Sequence, residues 1–163
     1  MQNNFDAIIE SVRKKYRNFD SPDYSFVDIN LPKQCAIYKE LFDNYAVVED
    51  TDFNCEVCMH YYVTDSLTNW EICVSLVGPY AMISREIDRD IWKVISRNNE
   101  ITPSDGSLIT LLEKYGYNAL SETQLKAKVS DFVLMNDCDI HQEDVYLYKV
   151  LFFFDNLRLL SDR

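Results

Sequence analysis

The sequence predicts one α+β domain over residues 1–163, a mainly antiparallel sheet packed with several helices. Three observations predict it. Apolar residues recur at helical spacing near the start, at Phe5, Ile8, Ile9, Val12 and Tyr16. Residues 53–64 and 69–77 instead alternate with a period of two, and the short polar segment DSLTN joins them as a hairpin loop. The chain is 47% hydrophobic with only 3 glycines and 4 prolines, which suits one sizeable core without long linkers.

The first helix is expected over 5–17, with Glu10, Arg13 and Lys14 opposite its apolar face and Asn3 or Asn4 as its cap. FDSPDYS (19–25) ends it. FVDINLP (26–32) reads as a short strand, and Pro32 opens a helix at 33–44 whose inner face is Cys35, Tyr38, Leu41, Phe42 and Tyr45. AVVED (46–50) reads as a short strand before the hairpin. Gly78-Pro79 breaks the second hairpin strand, and YAMIS (80–84) either continues it or forms a third. Residues 87–97 fit a helical stripe through Ile87, Ile91, Val94 and Ile95, with short strands as the alternative.

TPSDG (102–106) reads as a break before a helix at 107–115 that ends at Gly116. Ser121 and Gln124 match a capping box for a helix over 122–133, which would bury Leu125, Val129, Phe132 and Val133. NDCDIHQED (136–144) reads as a polar loop. VYLYKVLFFFD (145–155) is apolar on both alternating faces apart from Lys149, so it reads as a central strand, with a helix as the alternative.

Acidic residues outnumber basic ones 27 to 16, giving a net charge of −11. That argues against binding nucleic acid or an anionic membrane, both polyanions, and favours a basic protein partner. The first 19 residues lack the apolar core of a secretory signal, and 5 cysteines cannot all pair within one chain. A cytoplasmic protein with free thiols is expected.

FNCEVCMHYYV (53–63) contains a C-x-x-C followed by His60. On a strand, Cys55 and Cys58 project to opposite faces, whereas a structural zinc site needs converging thiolates and four ligands. No second C-x-x-C or H-x₃₋₅-H is present. A redox pair would sit at a helix start, not in mid-strand. Cys55 is therefore expected in the core with Phe53, Val57, Met59, Tyr61 and Val63, and Cys58 outside with Glu56, His60 and Tyr62. Cys58 and His60 share that face but stand roughly 6.5–7 Å apart along the strand, too far for a catalytic pair. DCDIHQED (137–144) lacks the sixth-position glycine of an EF-hand loop. No phosphate-binding, dinucleotide, hydrolase-elbow or zincin motif occurs. No catalytic residue, cofactor or metal is expected.

What remains is the distribution of acids. They cluster at 48–52 (Glu49, Asp50, Asp52), at 86–90 (Asp88, Asp90) and at 137–144 (Asp137, Asp139, Glu143), while Glu56 and Glu71 fall on the polar faces of the hairpin strands. Together with His60 and Tyr62 these are the candidate partner-binding residues, since aromatics supply contact area and acids steer encounter. On this reading, charge reversal at Glu56 and Glu71 would slow association. The alternative is a small-ligand or enzymatic domain with a pocket between sheet and helix.

WEICVSLVGPYAMISREI (70–87), with the later LYKVLFFFD (147–155) in a small acidic chain, resembles the immunity proteins of bacterial polymorphic-toxin and contact-dependent-inhibition systems. The resemblance implies a cytoplasmic, non-enzymatic inhibitor that covers the active site of a toxin effector, or a surface near it. It carries over no individual contact residue.

Overall fold

The hairpin joined at 65–68 forms the middle of the sheet in a computed structural model that describes residues 2–18, 23–26, 31–53, 56–89, 91–99, 102–129 and 145–152. Its strands are β2 (Cys58–Thr64) and β3 (Asn69–Ser75), paired antiparallel with Tyr61 opposite Ile72 and His60 opposite Cys73. Asp65 makes the loop tight by accepting the Leu67 and Thr68 amides on Oδ1, the local turn chemistry Asp favours. β1 (Ala46–Glu49) flanks β2, β4 (Tyr80–Asp88) flanks β3, and β5 (Ile91–Ile95) follows β4, all antiparallel. β6 (Asn118–Ala119) runs parallel to the start of β4, beyond the reach of β5. The result is the expected α+β fold, with a mostly antiparallel sheet in the order β1-β2-β3-β4-β5.

Helices bury both faces of the sheet. Tyr61, Trp70 and Ile72 face α2 (Leu31–Asn44) and α3 (Pro103–Lys114): the Tyr38 and Tyr61 rings lie 5.8 Å apart, and Trp70 Nε1 donates to Asp105 at 2.8 Å. The opposite face carries His60, Cys73, Ser75 and Tyr80. It meets α1 (Gln2–Tyr16) through Tyr80 and Ser11, and α5 (Leu147–Leu151) through Ser75 Oγ, which donates to the Leu151 carbonyl at 2.7 Å. Tyr16 joins those two helices by donating to the Val150 carbonyl at 2.7 Å, and Ile8, Val12 and Tyr16 are fully buried as the periodicity predicts.

Several elements differ from expectation. α1 begins at Gln2, so Asn3 and Asn4 lie inside it and do not cap it. Residues 27–30 of the expected strand lie outside the described residues, and Leu31 and Pro32 already belong to α2. Leu41 and the half-buried Tyr38 and Tyr45 pack inward as expected, together with Ile37, while Cys35 and Phe42 are exposed. The expected helix over 87–97 is instead the end of β4 and strand β5, with a bulge between Glu86 and Asp88. Pairing along β4 outweighs a stripe that is apolar at period 3 or 4 but equally compatible with short strands. YAMIS is a separate third strand.

TPSDG starts α3 rather than preceding it: Thr102 is the N-cap, Pro103 the first helical residue, and Asp105 closes a capping box. Gly116, with φ 78°, ends the helix as expected, its amide reaching Glu113 and the next amide reaching Leu112. The Ser121 capping box is also present, but α4 is the single turn Glu122–Leu125, and residues 130–144 lie outside the described residues. VYLYKV is not a sheet strand. Only Tyr146 makes a bridge, to Lys128, before the chain turns into α5. An all-apolar run satisfies a buried helix as well as a buried strand.

Asp105 is the link between α3 and the sheet. Fully buried, it accepts Trp70 Nε1 and the Thr102 amide at 2.8 Å each and Arg85 Nη1 at 3.3 Å. Asp105→Ala strands the indole donor and the guanidinium and removes half of the capping box. Urea unfolding should show a loss of about 3 kcal/mol, and a loss below about 1 kcal/mol would contradict this role.

Candidate functional site

Three polar side chains that strand alternation assigns to solvent are buried together. Glu56, His60 and Glu71 are 8%, 5% and 5% exposed. His60 Nδ1 lies 2.9 Å from Glu56 Oε1, and Nε2 lies 2.6 Å from Glu71 Oε1. The register explains the meeting. His60 pairs with Cys73 and Tyr62 with Glu71, so His60, Tyr62, Glu71 and Cys73 form adjacent positions on one face. Glu56 reaches back from just before β2, and its other oxygen accepts the Asp52 amide at 3.2 Å. The His60 amide donates to Thr51 Oγ1 and its carbonyl accepts the Asp50 amide, both at 3.0 Å. The cluster therefore pins the 50–52 segment against β2.

Burial by itself would lower the His60 pKa, but the hydrogen bonds to Glu56 and Glu71 and their charges outweigh it and raise it to about 10. At neutral pH the imidazole is a cation that donates from both nitrogens. The Tyr62 ring lies 5.0 Å from it. Cys58 and Cys73 are fully buried. Burial, and then the hydrogen bond with Cys58, push the Cys73 thiol well above its usual value. A Cys73 thiol held protonated beside an imidazolium already occupied by carboxylates forms no activated nucleophile.

The expected outward face of the hairpin is thus largely interior. Glu56, His60 and Glu71 cannot offer their side chains to a partner, Cys58 belongs to the core, and Tyr62 is half-buried. Alternation marks a wet face only where one side of a sheet is left uncovered, and here helices cover both. Reversing charge at Glu56 and Glu71 would place two cations around His60 and report on folding, not on docking. Cys55 lies outside the described residues, as do Asp90, Asp137, Asp139 and Glu143. Glu49, Asp50 and Asp52 are exposed together along β1 and the turn after it, and Asp88 is exposed at the far end of β4, paired with Ile91 of β5. Cys73 and Thr51 were not candidates in the sequence reading. Cys73 becomes one once the hairpin register sets it opposite His60.

A groove of about 560 Å³ lies between α2 and α3. Its charged side chains are already committed: Lys114 Nζ lies 2.6 Å from Glu40, and Arg97 holds Glu113 by two contacts. They do not converge on a ligand in the way the pocket alternative requires. No helix among the described residues is long and apolar enough to cross a membrane.

Comparison with known proteins finds no matching family model, no matching curated protein and no matching solved structure.

The raised His60 pKa has a definite sign. The proton is held more tightly in the folded state, so the stabilisation is complete below the unfolded value near 6.5 and is lost as pH rises through about 10. In chelator-containing buffer, unfolding free energy should fall by a few kcal/mol between pH 6.5 and 10. His60→Gln should lower stability at neutral pH and flatten that slope. An equally steep slope in His60→Gln would assign it to other groups.

Proposed function

We propose that this chain is a cytoplasmic, non-enzymatic binding protein that neutralises a basic protein partner, a toxin effector, by laying an acidic sheet edge against it. One observation carries the reading. At the β1 edge, two exposed apolar side chains flank a run of exposed acids: Val48 is 63% and Phe53 41% exposed, with exposed Glu49, Asp50 and Asp52 between them. β1 ends the strand order, so among the described residues its outer backbone pairs with no further strand. An uncovered edge with apolar side chains is a surface that pairs or docks. Acids around it raise the encounter rate with a cation-rich protein and discourage self-pairing. The net charge of −11 and the resemblance to toxin-immunity proteins point the same way.

The mechanism is occlusion. The 50–52 segment is held by its hydrogen bonds with the His60 amide and carbonyl and with Glu56, so its carboxylates are presented from an ordered backbone and little ordering entropy is lost on docking. Basic groups lining a nuclease-like active site would be the natural counterpart.

The test replaces Glu49, Asp50 and Asp52 together with Lys, after circular dichroism confirms the fold. Co-expression with a toxin domain that the purified wild-type chain binds should be tolerated with the wild type and lethal with the triple variant. The association rate of the purified pair should drop about tenfold to hundredfold at low salt, and the gap should narrow as salt rises. Full protection and an unchanged association rate in the triple variant would remove this edge as the docking surface.

A further inference from the structure

The His60 cluster holds a donor set that the ion triad alone does not use. One ligand atom each from His60, Glu71 and Cys73 lies within 4.8 Å of the others, and all three residues are buried. They come from facing positions of a hairpin, with His60 directly opposite Cys73 and Glu71 two residues before Cys73 on the same face. The Cys58 thiol, two residues before His60 on that face, hydrogen-bonds the Cys73 thiol. Imidazole, carboxylate and the Cys73 thiol thus crowd one spot between β2 and β3, with Cys58 beside Cys73 but outside that set.

We propose that this cluster is a buried zinc-class metal site, with His60 Nε2, Glu71 and Cys73 as its protein ligands. Thiolate with imidazole and carboxylate is the donor chemistry of tetrahedral Zn²⁺. Glu56 completes the arrangement from behind. It holds His60 Nδ1 at 2.9 Å, the carboxylate–histidine pairing that fixes the tautomer and turns Nε2 toward a metal.

The geometric demand is small. Nitrogen and oxygen ligands about 2.0–2.1 Å from one ion at a tetrahedral angle stand roughly 3.3 Å apart. His60 Nε2 and Glu71 Oε1 are 2.6 Å apart, so the pair opens by about 0.7 Å as the ion replaces their shared proton. A bound divalent cation also deprotonates the Cys73 thiol, which burial otherwise keeps neutral. The proposal does not depend on the docking role of the β1 edge.

The full chain is stripped with chelator and titrated with Co²⁺, then with Zn²⁺. Thiolate-to-cobalt charge-transfer absorption should saturate at one ion per chain and disappear when Zn²⁺ displaces it. Free Zn²⁺ at a hundredfold excess over its dissociation constant should raise the thermal midpoint by about 5–10 °C. Cys73→Ser should abolish the absorption, and Cys35→Ser, on the exposed side of α2, should leave it unchanged. X-ray absorption of the zinc-loaded wild type requires no variant to fold. It should show sulfur near 2.3 Å and imidazole nitrogen near 2.0–2.1 Å. A wild type with no charge-transfer band, a zinc shell without sulfur, or a band that survives in Cys73→Ser overturns the assignment.

Discussion

A buried imidazole held between two carboxylates constrains more of this molecule than its size suggests. An imidazolium in a protein interior costs several kcal/mol in lost hydration unless charge-bearing partners surround it. His60 meets that condition only when three separate pieces of chain are in place: the approach to β2 with Glu56, β2 itself, and β3 with Glu71. A slip of one residue in the hairpin would turn Glu71 to the opposite face and leave the cation half-satisfied. The triad thus specifies register, a contribution apolar packing makes only weakly. The neighbouring positions Cys58, Cys73 and Ser75 follow from the same register.

The two faces of the sheet solve the same problem differently. On the Trp70 face a single buried carboxylate, Asp105, gathers an indole N–H, a guanidinium and a helix-capping amide, which fixes where α3 starts and how it lies. On the His60 face the polar atoms pair with each other within the sheet, and α1 and α5 are anchored further along by Tyr80, Ser75 and Tyr16. Each face is mostly apolar with one polar network, and losing one partner from either network leaves a further uncompensated buried group beside Arg85 Nε and Ser84 Oγ, which are buried without a hydrogen-bond partner.

Local patterns predicted well what local physics decides. The stripe through Ile8, Val12 and Tyr16, the Ser121 capping box and the Gly116 helix end are each settled within a few residues of chain, and the structure has all three. The fold class followed from the hairpin alternation. Failures came where the deciding interaction is distant. Residues 91–95 become a strand because β4 offers an edge, and 147–151 become helical although their composition fits a strand equally well. Alternation separated the faces of β2 correctly, with Tyr61 on one side and His60 on the other. It could not tell that the polar side would be covered. The exchange of Thr102 from loop to N-cap has a smaller cause: Asp105 three residues on was a visible capping signal that the neighbouring Gly106 outweighed.

The buried cluster and the exposed edge are joined by short hydrogen bonds, and that connection links the chemistry to the surface. Asp50 and Asp52 carry their carboxylates into solvent while their amides are bound to the His60 carbonyl and to Glu56. An edge strand bearing Val48 and Phe53 would ordinarily be free to twist, slip or pair with a copy of itself. Here its continuation is tied to a charged group that cannot leave its place without losing both carboxylate partners. Exposed acids on a loose loop would steer a basic protein but would lose ordering entropy on docking. Acids on a backbone fixed in this way keep the steering without that loss. Whatever occupies the space between His60 and Glu71, a proton or a metal ion, is therefore two hydrogen bonds from the exposed acidic edge at 50–52.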